Sequence, residues 1–199
     1  MTTRERILDS ARRLVLSRGF GSTTVDAVLA QAGASKGAFF HHFASKADLG
    51  RALVEEYAEQ DAETLEAFMR RAEEVSADPA EQLVAFVRLF EQLVETDPGS
   101  HPGCLFVSFI YEQELTGVEV AEIVRRSIEL WRKRLLEKLD AAAGARLANS
   151  SVDLPSLADQ FFVVVEGGLL LSRATGDPER IRDQLTHFRH YLELLFGLR

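Results

Sequence analysis

Between Thr23 and Lys46 the chain reads TTVDAVLAQAGASKGAFFHHFASK, a stretch that leaves little choice of local structure. Val25, Val28, Leu29 and Ala32 recur at the spacing of one helical face. Thr23 or Thr24 is placed to cap that helix, and Asp26 follows Thr23 by three residues, as a capping box requires. Gly33 supplies the left-handed residue on which a helix ends, and Ser35 is placed to cap a second short helix, Lys36 to Phe43. Phe39 and Phe43, four apart, give that second helix an anchoring face. Two short helices joined by a tight turn make a helix-turn-helix, whose second helix can enter the major groove of DNA.

The surrounding residues add a family likeness. Ala11, Gly19-Phe20, Thr24-Val25, Ala32-Gly33, Ser35-Lys36-Gly37, the run Phe39-Phe40-His41-His42-Phe43, and Ser45-Lys46 followed by Leu49 occur in that order. Over residues 7–53 the chain resembles the N-terminal domain of the TetR family of transcriptional regulators. The resemblance implies an all-α fold with a three-helix DNA-binding domain, residues 1–50, and a helical ligand-binding and dimerisation domain, residues 51–199. It also implies that Ser35, Lys36, Gly37, Ala38, Phe40, His41 and His42 face DNA, with Thr24 and Lys46 gripping phosphates. Side-chain chemistry fits this role. Gly37 and Ala38 permit close approach, the Ala38 methyl suits a thymine methyl, and His41 and His42 can donate hydrogen bonds. The family usually has Tyr where this chain has Phe40, and its hydroxyl reaches a phosphate. Phe40 lacks that hydroxyl, which leaves its ring to pack on sugar or methyl groups.

The net charge of −8 argues against a nucleic-acid binder until its distribution is considered. Residues 1–50 carry seven Lys and Arg against four Asp and Glu, while residues 51–199 carry sixteen against twenty-seven. An acidic body of this kind keeps the remainder of the molecule off the phosphates. Arg4, Arg6, Arg12 and Arg13 lie off the apolar face of the first helix, within reach of backbone phosphates or simply solvated.

The rest of the chain reads as further helices, nine in all, with no persuasive strand. The first spans Thr2 to Arg18. A long one starts at Lys46 behind a Ser45-x-x-Asp48 cap, and another opens at Asp78-Pro79. Residues 97–103 form a dense turn cluster. An apolar helix, Cys104 to Leu115, precedes one capped by Thr116-x-x-Glu119 that runs to Ala142, and residues 143–152 read as a loose connection. The last two helices run from Asp153 to Thr175 and from Asp177-Pro178 to the C-terminus. Their stripes, Phe161, Val165, Leu169 and Ser172, and Leu185, Phe188, Leu192 and Leu195, are expected to form a homodimer seam as a four-helix bundle. An intrachain core is the alternative use of the same stripes.

The resemblance implies a small-molecule cavity among helices that here carry Phe86, Phe90, Cys104, Phe106, Phe109, Tyr111, Trp131, Phe162 and Glu166, residues that would otherwise be plain core. Glu166, a carboxylate in an apolar helix, is costly to bury unless it is paired. The Gly-Cys-Leu start of the Cys104 helix resembles family members in which a cysteine senses electrophiles or oxidants.

No apolar run reaches the roughly 18 residues of a membrane span, and the N-terminus has no signal-peptide core. With one cysteine, no disulfide framework is possible, so cytoplasmic residence is expected. No enzyme, metal or cofactor motif is legible. The expectation is a ligand-responsive transcriptional repressor, not an enzyme, that binds a palindromic operator in double-stranded DNA as a homodimer. The alternatives are a thiol-based sensor using Cys104, and a helical ligand-binding or structural protein that does not bind DNA.

Overall fold

The computed structural model describes residues 1–96, 103–144, 146–147 and 151–198. Among the described residues there are nine helices and no strand: α1 (Thr3–Arg18), α2 (Val25–Ala32), α3 (Lys36–His42), α4 (Lys46–Val75), α5 (Pro79–Thr96), α6 (Leu105–Ile110), α7 (Gln113–Ala143), α8 (Leu154–Thr175) and α9 (Glu179–Leu195). The turn cluster expected at 97–103 lies outside the described residues except for Gly103, and so does part of the 143–152 connection.

Short-range hydrogen bonds explain most helix starts. Thr2 and Glu5 exchange the two bonds of a capping box at α1. Thr24 Oγ1 accepts from the Ala27 N–H at α2, Ser35 Oγ from the Ala38 N–H at α3, and Ser45 Oγ from the Asp48 N–H at α4. Asp153 caps α8 through the Ser156 N–H. Gly33 at φ 60 ends α2, and the left-handed turn there makes room for the helix-turn-helix corner.

Two expectations are corrected. Thr23 does not cap α2; it is buried and donates its hydroxyl to the Gly19 carbonyl at 2.8 Å. Asp26 therefore forms no capping box with it, and pairs with Lys36 instead. The apolar helix after Cys104 ends at Ile110 rather than Leu115, and α7 begins at Gln113. The break expected at Thr116 falls one residue on, at Gly117, whose φ of 81 and ψ of 172 interrupt the helix.

The chain forms two compact units. The first comprises Met1–Asp61 with Cys104–Ser127, and the second Ala62–Gly103 with Ile128–Arg199. In the first, α1 packs on α2, α3 and α6. Ile7, Leu8, Val15, Val28, Phe39 and Phe43 are buried. The return of α6 to this unit has a packing cause. Phe109 meets Phe20 with ring centroids 5.1 Å apart, and Phe106 meets Tyr57 at 4.8 Å. Gly50 admits the Phe20 ring, since a Cβ there would lie 2.7 Å from it.

The second unit packs α9 against both α5 and α8. Its core is aromatic: Phe86, Phe90, Trp131 and Phe161 touch one another, with Phe68, Phe162 and Phe188 at the edges. Glu66 takes two hydrogen bonds from Arg134, and Glu73 takes one from Lys138. Gly168 lets α8 approach α9 closely, because a Cβ there would stand 2.8 Å from the Ile181 Cα. Gly168→Val is therefore expected to cost about 1–3 kcal/mol through overpacking, read as a fall in the midpoint of thermal unfolding.

Candidate nucleic-acid interface

The second helix of the helix-turn-helix divides cleanly into two faces. Phe39 and Phe43 point inward, are fully or almost fully buried, and stand 5.5 Å apart between ring centroids. Ser35, Lys36, Gly37, Phe40, His41 and His42 are exposed, and Ala38 is half-buried. Thus α3 is held to the first unit by two phenylalanines while its other face is open to solvent. The two imidazoles lie edge to face at 4.9 Å.

Cations around this face are already engaged. Lys36 Nζ stands 3.1 Å from Asp26 Oδ1, and both side chains are mostly exposed. Arg4 reaches Glu56 and lies over the Phe43 ring, Arg12 and Arg13 both pair with Asp9, and Arg6 donates to the Ala32 carbonyl. Exposed pairs of this kind contribute at most about 1 kcal/mol, so phosphates can displace them. Asp26 is an acid beside Lys36 on the exposed side of the helix-turn-helix, a place that its sequence spacing, which suggests only a capping role, does not reveal. Asp26→Asn is expected to tighten binding to all duplexes alike and to steepen the dependence of log affinity on log salt by about 0.9. Titrations by fluorescence anisotropy at several salt concentrations measure both.

Of the two residues expected on phosphates, Thr24 is exposed, with its hydroxyl serving as the α2 cap. Lys46 is half-buried: it donates to the Gly21 carbonyl at 3.0 Å and lies 4.6 Å from the Phe20 ring centroid. Burial draws its ammonium pKa below the ordinary lysine value, and the Glu112 carboxylate partly offsets that. Glu112 itself had no signal in the sequence. From the turn between α6 and α7 it accepts a hydrogen bond from the Gly21 N–H, 91 residues away, and so fastens the α1–α2 turn from which Lys46 is held.

The expected pocket residues are divided between the two units. Cys104, Phe106, Phe109 and Tyr111 belong to the first unit, and Phe86, Phe90, Trp131, Phe162 and Glu166 to the second. Tyr111 is 85 % exposed, in the turn after α6. Phe106 and Phe109 are buried in their unit's core, and Cys104 is half-buried at the start of α6. Phe86, Phe90, Trp131 and Phe162 fill the aromatic core of the second unit, where the void beside Phe86 and Phe161 measures about 10 Å³. That is far below the several hundred Å³ of a typical ligand pocket. Glu166 is half-buried rather than sunk in an apolar core. A larger groove of about 530 Å³ runs between the first turns of α8 and the middle of α9, and includes Asp153, Gln160, Gln184, His187 and Tyr191.

The dimer stripes are corrected in part. Phe161, Leu185, Phe188 and Leu192 are buried within the single chain and are not available to a partner; Val165, Leu169 and Leu195 are half-buried. Ser172 accepts from the Ile181 N–H. Another apolar surface of the same two helices stays open: Val163, Leu170 and Leu171 on α8, Tyr191 and Leu194 on α9. By length and composition alone α8 is the one helix among the described residues that could cross a membrane, though Asp159 and Glu166 interrupt its apolar run, and 22 % of its most apolar stretch is buried in the chain.

A three-helix head that bares one face of a short, firmly anchored helix defines a DNA-binding regulator of the helix-turn-helix class. The comparisons agree. Residues 7–53 match the family description "Bacterial regulatory proteins, tetR family", and residues 79–188 match "Tetracyclin repressor-like, C-terminal domain". The chain is 26 % identical over 179 residues to the transcriptional regulator AcuR of Cereibacter sphaeroides, covering 88 % of this chain and 78 % of that protein. It is 25 % identical over 189 residues to the transcriptional repressor DhaR of a Mycobacterium species, covering 93 % and 87 %. A TetR-family regulator from Agrobacterium tumefaciens superposes with a TM-score of 0.76 at 26 % identity, over 95 % of this chain and 96 % of that one. The chain belongs to the TetR family. It is a DNA-binding transcriptional regulator and not an enzyme.

Proposed function

We propose that this regulator is a repressor, and that two copies bind a palindromic operator, each placing α3 in a major groove. The observation that carries this reading is the division of α3, with Phe39 and Phe43 inside and Lys36, Gly37, Phe40, His41 and His42 outside. Lys36 and the two histidines supply donors, Gly37 and Ala38 permit approach, and Thr24 and Lys46 flank them toward the backbone. Lys46 keeps one hydrogen on Gly21 and has two more to offer.

Dimerisation uses the open apolar face of α8 and α9 rather than the stripes already spent on the single-chain core. Its exposure in one chain supports this. Covering that face with a second chain, not a lipid bilayer, fits a regulator whose partner is DNA, and residence in the cytoplasm follows. A small-molecule effector releases the operator by favouring a conformer whose two α3 helices are wrongly spaced, with a coupling on the order of 1–3 kcal/mol. The lever is α4, which carries Lys46 at its start and Glu66 and Glu73 further along.

The test is selection of duplexes from a random library by the purified protein, followed by mobility shift. Enrichment of one inverted repeat, bound by two chains, supports the reading. A protein that retards no duplex above background contradicts it.

A further inference from the structure

On the reading that α3 faces DNA, we propose that Phe40 is a specificity-determining residue that reads the 5-methyl group of one thymine in each half-site. Phe40 is 61 % exposed in the middle of a face that is otherwise small or polar. Its ring is not loose. It meets the Phe39 ring edge-on, with centroids 5.3 Å apart and planes at 89°, and Phe39 is wholly buried and backed by Phe43. That contact biases the direction of the Phe40 ring before any duplex arrives, which lowers the ordering entropy lost on binding.

What such a ring can recognise is limited by its chemistry. It has no donor or acceptor, so phosphate oxygens and the polar edges of bases give it nothing specific. The apolar feature that a base pair shows in the major groove is the thymine methyl. The alternative apolar surface, deoxyribose, is the same at every position and carries no sequence information. The neighbourhood favours the methyl. Gly37 precedes Phe40 by three residues, which places it on the same side of the helix. A Cβ at Gly37 would meet only Ser35 Oγ, at 3.8 Å. The missing side chain leaves that side of the helix uncrowded, so the groove floor can come close to the backbone at Gly37 while Phe40 projects one turn on. Lys36, four residues before Phe40, has its ammonium drawn toward Asp26.

The experiment uses the duplex selected by the full-length protein. Each thymine of a half-site is replaced in turn by deoxyuracil, which removes the methyl and nothing else, and affinities are read by fluorescence anisotropy. For the unaltered protein, one position per half-site is expected to weaken binding about fourfold, the effect of one lost buried methyl. In Phe40→Ala the same replacement has no effect, while Phe40→Leu keeps a reduced sensitivity. Phe40 is exposed, so both variants keep their unfolding midpoints, measured alongside. The proposal is overturned if no deoxyuracil position matters, or if Phe40→Ala weakens thymine and deoxyuracil duplexes equally, as a sugar contact would. A selection that enriches no sequence removes the reading of α3 itself, and is distinguishable from either result.

Discussion

Leu170→Glu yields a chain that folds, sediments as a monomer at micromolar concentration, and binds the selected operator at least about 100-fold more weakly. The first part follows from where Leu170 stands. It is 68 % exposed on α8, away from the residues through which that helix packs inside its own chain, Ala158, Phe161 and Gly168. Substitution at such a position shifts single-chain stability by no more than about 0.5 kcal/mol. The second part follows from its neighbours. Val163 and Leu171 on the same helix, and Leu194 at 69 % exposure on α9, are further apolar side chains that one chain leaves in water. A carboxylate introduced there has to be desolvated against a second chain, and burying a charge in an apolar seam is costly even beside Arg173, three residues on. The third part is the arithmetic of two linked half-sites. Joining two heads makes the second contact intramolecular, which raises avidity by about 10² to 10⁴ over a single head. Losing the joint forfeits that factor with α3 untouched. A variant that stays dimeric at the same concentration moves the seam elsewhere.

Phe39→Ala removes the anchor of α3 and is expected to cost about 3–5 kcal/mol, the range for deleting a fully buried phenylalanine. Phe39 has no exposed surface, and it touches Phe40 and Phe43. With seven residues, α3 is too short to hold its shape by hydrogen bonds alone, since isolated helices need about 12–15 residues. Its geometry therefore depends on this packing, and operator binding disappears with it. Thermal unfolding followed by circular dichroism gives the size of the loss. Phe40→Ala, one residue on, is the control: the same atoms are removed from an exposed position, and stability stays within about 0.5 kcal/mol. Equal loss in the two variants contradicts the assignment of faces.

The head was legible because its signals are local. Thr24, Gly33 and Ser35 act within three or four residues of themselves, and the Phe39–Phe43 spacing states which side of α3 turns inward. The same logic failed at Thr23, where a hydroxyl satisfied by the Gly19 carbonyl four residues earlier won over capping. The second unit was harder to read for a different reason. An apolar stripe states that a surface is covered, not by what. Phe161, Leu185, Phe188 and Leu192 were expected at a seam between chains and instead close the core of one. The more exposed face of α8, with Val163 and Leu170, gives a weaker pattern because its residues are interspersed with glycine and polar side chains. Glu112 was beyond reach altogether: its bond to the Gly21 N–H joins points 91 residues apart, and no spacing rule connects them.

The central claim is that the bared face of α3 meets DNA twice, at positions set by a two-fold pair. Hydroxyl-radical footprinting of the selected duplex tests it most directly. Two protected patches, centred about one helical turn or a whole multiple of it apart, are the predicted result. A single patch, or two at a spacing that puts them on opposite sides of the duplex, would contradict the account.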